Sequence, residues 1–458
     1  MSMFKWDLVD PAPGEAVAPS QRLSWGKTAG LGAQHVVAMF GATFVFPLVM
    51  GLDPNLAIMF SGICTILFLL ICANKVPSYL GTSASFVASV AAIRGSDPAG
   101  DSADVTGAIL VGGLVLALVG LLIHFAGAHW VHRILPPAVT GAVVMLIGFN
   151  LAPVVAGIYW PQDQWIALLT AAFMVVAAVM FPGFWSRIAV FLALIFGYLL
   201  SFAADKIFGP ITSVLGGAVE ATEHDRVSWA GVKGADWIGF PSGKLADGVS
   251  VVHGPSFSLT FILLVLPGVI ALIAENTGHV KAVAEMTGED LDPYMGRAIG
   301  ADGLATALSS AFGGSPTTTY AENIGVMGAT KVYSTAAYYV AAGVAILLGL
   351  CPKFGAIVNA TPGGVLGGIT VVLYGMIGLV GAKIWVENGV DFGSPINMVG
   401  LAGGLIAGIG NVTLKITDDF QLSGIALGTL MVIVFYHLVN GRQGPGAGQV
   451  TRVMSHEE

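Results

Sequence analysis

The ten residues "PTTTYAENIG", Pro316 to Gly325, lie between two long apolar runs and carry a carboxylate, Glu322. A charge in such a setting is costly unless something uses it. The stretch opens with a proline and three threonines and continues as an apolar helix. It therefore reads as a broken membrane segment, about 314–330, and not as a continuous span. A second stretch has the same grammar. "VPSYLGTSASFVASVAAI", about 76–93, opens on Pro, Ser and Gly and ends as an apolar helix. Non-helical backbone at membrane depth persists only where it is buried in protein or lines a cavity.

The composition fits that reading. Hydrophobic residues make up 55% of the 458 and charged residues 10%, against about 25% charged in an average soluble domain. The mean hydropathy is +0.82. This is a polytopic membrane protein and not a soluble enzyme. The 62 glycines allow close helix approach within a membrane. A net charge of −8 offers no basic patch, which excludes nucleic acid as a partner. Cys64, Cys72 and Cys351 show no ligand spacing and no disulfide framework. Walker, Rossmann, CxxC and HExxH patterns are absent, so neither ATP drive nor metal hydrolysis has support. No cofactor and no metal is expected, and no nucleophile–base set points to an enzyme. The N-terminus lacks the apolar core of a signal peptide, so the first span must direct insertion.

Twelve long candidate spans, each near the ~20 residues that cross a bilayer, begin at 28–50 and end at 421–440. The two broken stretches bring the total to fourteen. With the N-terminus inside, twelve Lys and Arg fall in cytoplasmic segments, while the short outer loops hold only Arg94, Lys353 and Lys415. That asymmetry follows the positive-inside rule and places both termini in the cytoplasm. Each broken stretch is the third span of a seven-span half. Seven is odd, so the halves have opposite orientations: a 7+7 inverted repeat with broken helices meeting at the midplane. The fold expected is thus all-α, with two strand-plus-half-helix segments at the third and tenth spans.

The eighth span contains Glu275 and His279, four residues apart and on one helix face. With Glu322 they outline a proton relay; a structural pair and a helix-end anchor are the alternative reading. His35, beside Gln34 in the first span, reads as an interhelical hydrogen-bonder. Asp302 reads as a helix N-terminal or packing residue, and Asn150 as another interhelical hydrogen-bonder. Backbone groups freed at Gly81–Ser85 and Thr318–Glu322, with the carboxylates, suit a planar ring of alternating N–H and C=O groups such as uracil. Tyr320 and Phe86 could add aromatic contacts. The residues alone leave other polar solutes open.

Along nearly its whole length the chain resembles the nucleobase–ascorbate (nucleobase–cation symporter 2) transporter family. The family signature is matched by Glu322, Asn323, Gly325, Thr330 and Lys331. The "QH" pair is Gln34 and His35, "AENTGH" carries Glu275 and His279, and "PSYLGTSASF" resembles the third-span strand. Glu at position 322 is similar to the uracil-permease branch, where purine members usually carry Gln. The resemblance implies proton symport of uracil or a related base by an elevator motion. It implies substrate contacts from Glu275 and Glu322 and from backbone at Ala84 and Ala321, and proton coupling through Glu275 and His279. Gln34, His35, Asn323 and Thr330 support the site. Ala321 stands where uracil members often have Gly, and Ala84 where some have Phe.

The domain layout then expected is a cytoplasmic tail 1–27, a core of spans 1–4 (28–127) and 8–11 (257–351), and a gate of spans 5–7 (137–204) and 12–14 (361–440). An extracytoplasmic loop region (205–256) and a cytoplasmic tail (441–458) complete it. A homodimer in a bacterial-type inner membrane is implied, with nucleobase, protons and the lipid bilayer as partners. A xanthine or uric acid carrier of the same family competes with this reading. From another class, so does an anion exchanger or channel sharing the fold.

Overall fold

A computed structural model describes residues 4–12, 15–96, 98–127, 129–214, 220–416 and 421–440. The tail expected at 441–458, with Arg442 and Arg452, lies outside the described residues. The chain folds as a helical bundle. In the first half the helices used below are α1 (Trp25–Met50), α2 (Pro54–Ile71), α3 (Val87–Arg94), α4 (Ser102–Ala126), α5 (Pro137–Phe149), α6 (Gln164–Met180) and α7 (Ala189–Phe208). The second half contributes α8 (Leu259–Thr287), α9 (Met295–Ser310), α10 (Ala321–Thr330), α11 (Thr335–Gly349), α12 (Pro352–Asn359), α13 (Gly363–Glu387), α14 (Pro395–Ile409) and α15 (Gly424–Asn440).

Seven helical stretches among the described residues are long and apolar enough to cross a membrane, Pro137–Gln162 being the one that begins with α5. The pair α11–α12 passes the same test together but bends by 80°. Pro352 opens α12 directly after the break, and Pro at a first helical position restarts a helix more readily than it continues one. The chain is therefore a multi-pass membrane protein.

Two strands interrupt the helices inside the bundle. β1 (Leu80–Thr82) pairs antiparallel with β2 (Thr317–Thr319), with Gly81 opposite Thr318. All six residues are buried. Their backbone would be unsatisfied in hydrocarbon, and each strand supplies the other's partners. Flanking bonds extend the ladder: Ser83 N–H donates to Pro316 O at 2.9 Å and Tyr320 N–H to Tyr79 O at 3.0 Å. Gly81 is required here, because a Cβ would overlap the Tyr320 ring and Thr43 Oγ1. Side-chain hydroxyls close the remaining gaps, Thr65 Oγ1 accepting from Leu80 N–H at 2.9 Å and Thr306 Oγ1 from Thr317 N–H at 3.1 Å.

Around this pair the helices pack through small residues. A Cβ at Gly120 of α4 would overlap the backbone of Gly300 on α9, so the two helices touch main chain to main chain. Asn150, at the end of α5, donates to Gly408 O of α14 at 2.7 Å, an interhelical bond.

The region 205–256 is fastened to the helices by side chains. Charged and hydroxyl groups tie it down at two points. Arg226 donates to Asp163, ahead of α6, at 2.7 Å and to Asp205 of α7 at 3.0 Å. Asp247 accepts from Arg94, at the end of α3, at 3.1 Å and from the backbone and hydroxyl of Ser102 at the start of α4. Burial alone would raise the Asp247 carboxyl, but the hydrogen bonds from Ser102 and Arg94 hold it below its ordinary value. In the N-terminal segment residues 4–12 and 15–22 are also described. Val17 is buried and exchanges backbone bonds with Lys331 and Tyr333, the segment between α10 and α11.

Candidate functional site

The site is built where β1 and β2 hand over to helices. Beyond β1 a short turn, Ala84–Phe86, is capped by Ser83, whose hydroxyl accepts from Ser85 N–H at 3.2 Å. Beyond β2, α10 starts at Ala321 behind Tyr320, and no side chain caps it. Tyr320 thus leaves its first-turn N–H groups uncapped, and that of Glu322 meets its own carboxylate. Ala321 is exposed, and Ala84, Glu275, Glu322 and Gln34 are half-buried, so these residues face accessible space although the surrounding strands are buried.

Glu275 and His279 come from α8, which crosses beside the strand pair. Ser85 Oγ donates to Glu275 Oε2 at 3.4 Å. Asp302 and Glu322 both lie within electrostatic reach of Glu275. Ion pairs of the described residues lie elsewhere, so this acidic group has no basic partner among them.

His279 Nδ1 is 2.8 Å from Thr319 Oγ1. Thr319 Oγ1 donates to Asn276 Oδ1 at 2.9 Å. Asn276 Nδ2 donates to Asp302 Oδ2 at 2.6 Å and to Leu272 O at 3.0 Å. Asp302 is fully buried and also accepts from Thr317 Oγ1 at 3.4 Å. It lies within α9, eight residues in, and holds the strand to α8; a role at the helix start does not describe it. Asn276, Thr317 and Thr319 are residues that sequence reasoning missed. Asn276 stands between Glu275 and His279, and its polar side chain on the buried side of α8 was the available signal.

The supporting residues fall around α10. Asn323 donates to His35 O at 2.9 Å and lies 3.2 Å from His35 Nδ1, and the His35 ring is 4.4 Å from that of Tyr338. His35 is thus an interhelical hydrogen-bonder. Thr330 Oγ1 bonds within its own helix, to Val326 O. The Tyr320 hydroxyl donates to Thr82 O at 2.8 Å and accepts from Thr43, which locks the ring over β1. Phe86 is fully buried, its ring pressed against Gly112 of α4 and Gly268 of α8.

Two broken segments pair inside a helical membrane bundle with carboxylates beside them, an arrangement suited to a membrane transport protein. The Permease family model matches residues 26–417. A protein of Escherichia coli (strain K12) named as a pyrimidine permease, RutG, is 42% identical over 449 residues, 96% of each chain. A uracil permease of Bacillus caldolyticus is 34% identical over 427 residues, 91% of this chain and 93% of that one. Among solved structures, the transmembrane domain of the cyanobacterial bicarbonate transporter BicA aligns with a TM-score of 0.54 and 15% identity. It covers 90% of this chain and 95% of its own. The murine anion transporter Slc26a9 aligns at 0.61 and 12%, covering 91% and 68%. These two share the fold. The chain belongs to the permease family, as its signature residues imply.

Proposed function

We propose that the chain is a secondary active transporter importing uracil or a related nucleobase by proton symport, with an elevator-type change of access. The observation that carries this is the β1–β2 pair. It sets the uncapped N-terminus of α10, with Ala321 and Glu322, beside the turn at Ala84 and the face of α8 that carries Glu275. Backbone N–H groups would serve ring carbonyls and the carboxylates ring N–H groups. Tyr320 would wall the site, and Phe86, packed between α4 and α8, would back it. The names borne by the pyrimidine and uracil permeases support a pyrimidine over a purine such as xanthine or uric acid. Two half-buried acids, Glu275 and Glu322, with no basic partner among the described residues weigh against anion exchange despite the shared fold.

The fourteen spans of this reading would be the seven long ones, the bent pair α11–α12 and the six shorter helices α3, α6, α9, α10, α14 and α15. Antiparallel pairing of the two strands agrees with a two-fold axis in the membrane plane. Segments 28–127 and 257–351 form the moving core. Segments 137–204 and 361–440 form the gate and the dimer contact. The loop 205–256 lies outside the cell membrane and the tails 1–27 and 441–458 in the cytoplasm. Glu275 exchanges the coupled proton with assistance from His279.

Uptake into proteoliposomes tests this. Radiolabelled uracil should accumulate under an inward proton gradient, collapse with a protonophore, and be competed by pyrimidines before xanthine or uric acid. Uptake that requires sodium and ignores the protonophore contradicts the coupling, and preferential competition by xanthine contradicts the substrate.

A further inference from the structure

We infer that Asp302, Asn276 and Thr319 are positioning residues that hold His279 in the tautomer protonated on Nδ1, leaving Nε2 as its open acceptor. The directions of the hydrogen bonds fix this. Leu272 O can only accept, so the Asn276 atom 3.0 Å from it is the NH2 group. The same NH2 reaches Asp302 Oδ2 at 2.6 Å. Asn276 Oδ1 must then accept, and the Thr319 hydroxyl, 2.9 Å away, donates to it. A hydroxyl has one proton. With that proton committed, Thr319 Oγ1 can only accept from His279 Nδ1 at 2.8 Å, so Nδ1 carries hydrogen.

The anchor is rigid. Asn276 and Asp302 are fully buried and Thr319 is 1% exposed, and Thr319 is pinned by its place in β2 opposite Leu80. No hydrogen bond to Nε2 occurs among the described residues, and the ring is half-buried. A neutral imidazole whose second nitrogen is bonded in this way presents a basic nitrogen of fixed direction. The chain also joins the strand that feeds α10 to the helix that carries Glu275. A change in the protonation of His279 is thereby felt at β2. The functional part of this inference rests on His279 assisting proton coupling; the tautomer does not.

The test uses Thr319→Val, which keeps the branched shape and removes the hydroxyl, and Thr319→Ser, which restores it. Nitrogen-15 histidine NMR of the full chain in lipid, with the His279 signal assigned by its loss in His279→Gln, should show an Nδ1–H, Nε2-unprotonated ring. Thr319→Val should lose that single tautomer and Thr319→Ser keep it. Uracil uptake should fall about three- to tenfold in Thr319→Val, the size of one lost hydrogen bond, and recover in Thr319→Ser. A wild-type ring protonated on Nε2, or a Thr319→Val spectrum identical to wild type, overturns the inference. A tautomer that changes while uptake does not leaves the inference standing and contradicts the coupling role of His279.

Discussion

Glu322 enters the first turn of α10, where the uncapped N–H groups and the helix dipole favour an anion. In the proposed complex it accepts from a ring N–H. Glu322→Gln keeps the shape and swaps one acceptor oxygen for a donor NH2, so two donors then face each other. Losing a charge-assisted hydrogen bond costs roughly 1.5–3 kcal/mol, which predicts uracil affinity about 10- to 150-fold weaker by calorimetry. Affinity unchanged within about twofold removes Glu322 from the site. Glu275, His279 and Glu322 were legible because an ionisable residue in an apolar run has few bland explanations. Asp302 was not. Its partners, Asn276 and Thr317, come from another helix and from a strand, and spacing along α9 carries no record of them. Phe86 shows the converse. Its aromatic ring near the broken segment invited a contact role, and its packing against Gly112 and Gly268 is set by helices remote in sequence.

At the scale of elements, the two broken segments were readable because Pro, Gly, Ser and Thr break a helix while an apolar tail resumes it. That the two strands would hydrogen-bond to each other rests on inverted symmetry, since neither is long enough to be recognised alone. The pair depends on one small residue. Gly81→Ala forces a Cβ into the Tyr320 ring and Thr43, at a cost of about 1–3 kcal/mol for overpacking. Thermal unfolding of the purified protein should shift downward and uptake should fall. Gly343→Ala, where nothing lies within 4 Å of the added carbon, should change neither. Equal behaviour of the two variants contradicts the account of β1. The anchoring of region 205–256 was the least legible feature. Arg226 and Asp247 look like ordinary loop charges, and only the fold brings them against Asp163, Asp205, Arg94 and Ser102.

At the scale of the whole molecule, that anchored loop touches both proposed domains. Arg226 binds elements of the gate, and Asp247 binds elements of the core. Each half-helix is also held at its far end, α3 through Arg94 and α10 through the segment paired with Val17. The half-helices and the strands between them are therefore tied down at both ends, which suits the proposed core. The central claim is that the two broken segments close on one base from opposite sides. Cysteines at positions 84 and 321, in a chain with Cys64, Cys72 and Cys351 replaced, test it most directly. The account predicts rapid linkage by a short bifunctional reagent and protection by saturating uracil. Failure to link, or linkage indifferent to uracil in a protein that still transports it, would contradict a substrate site between the two segments.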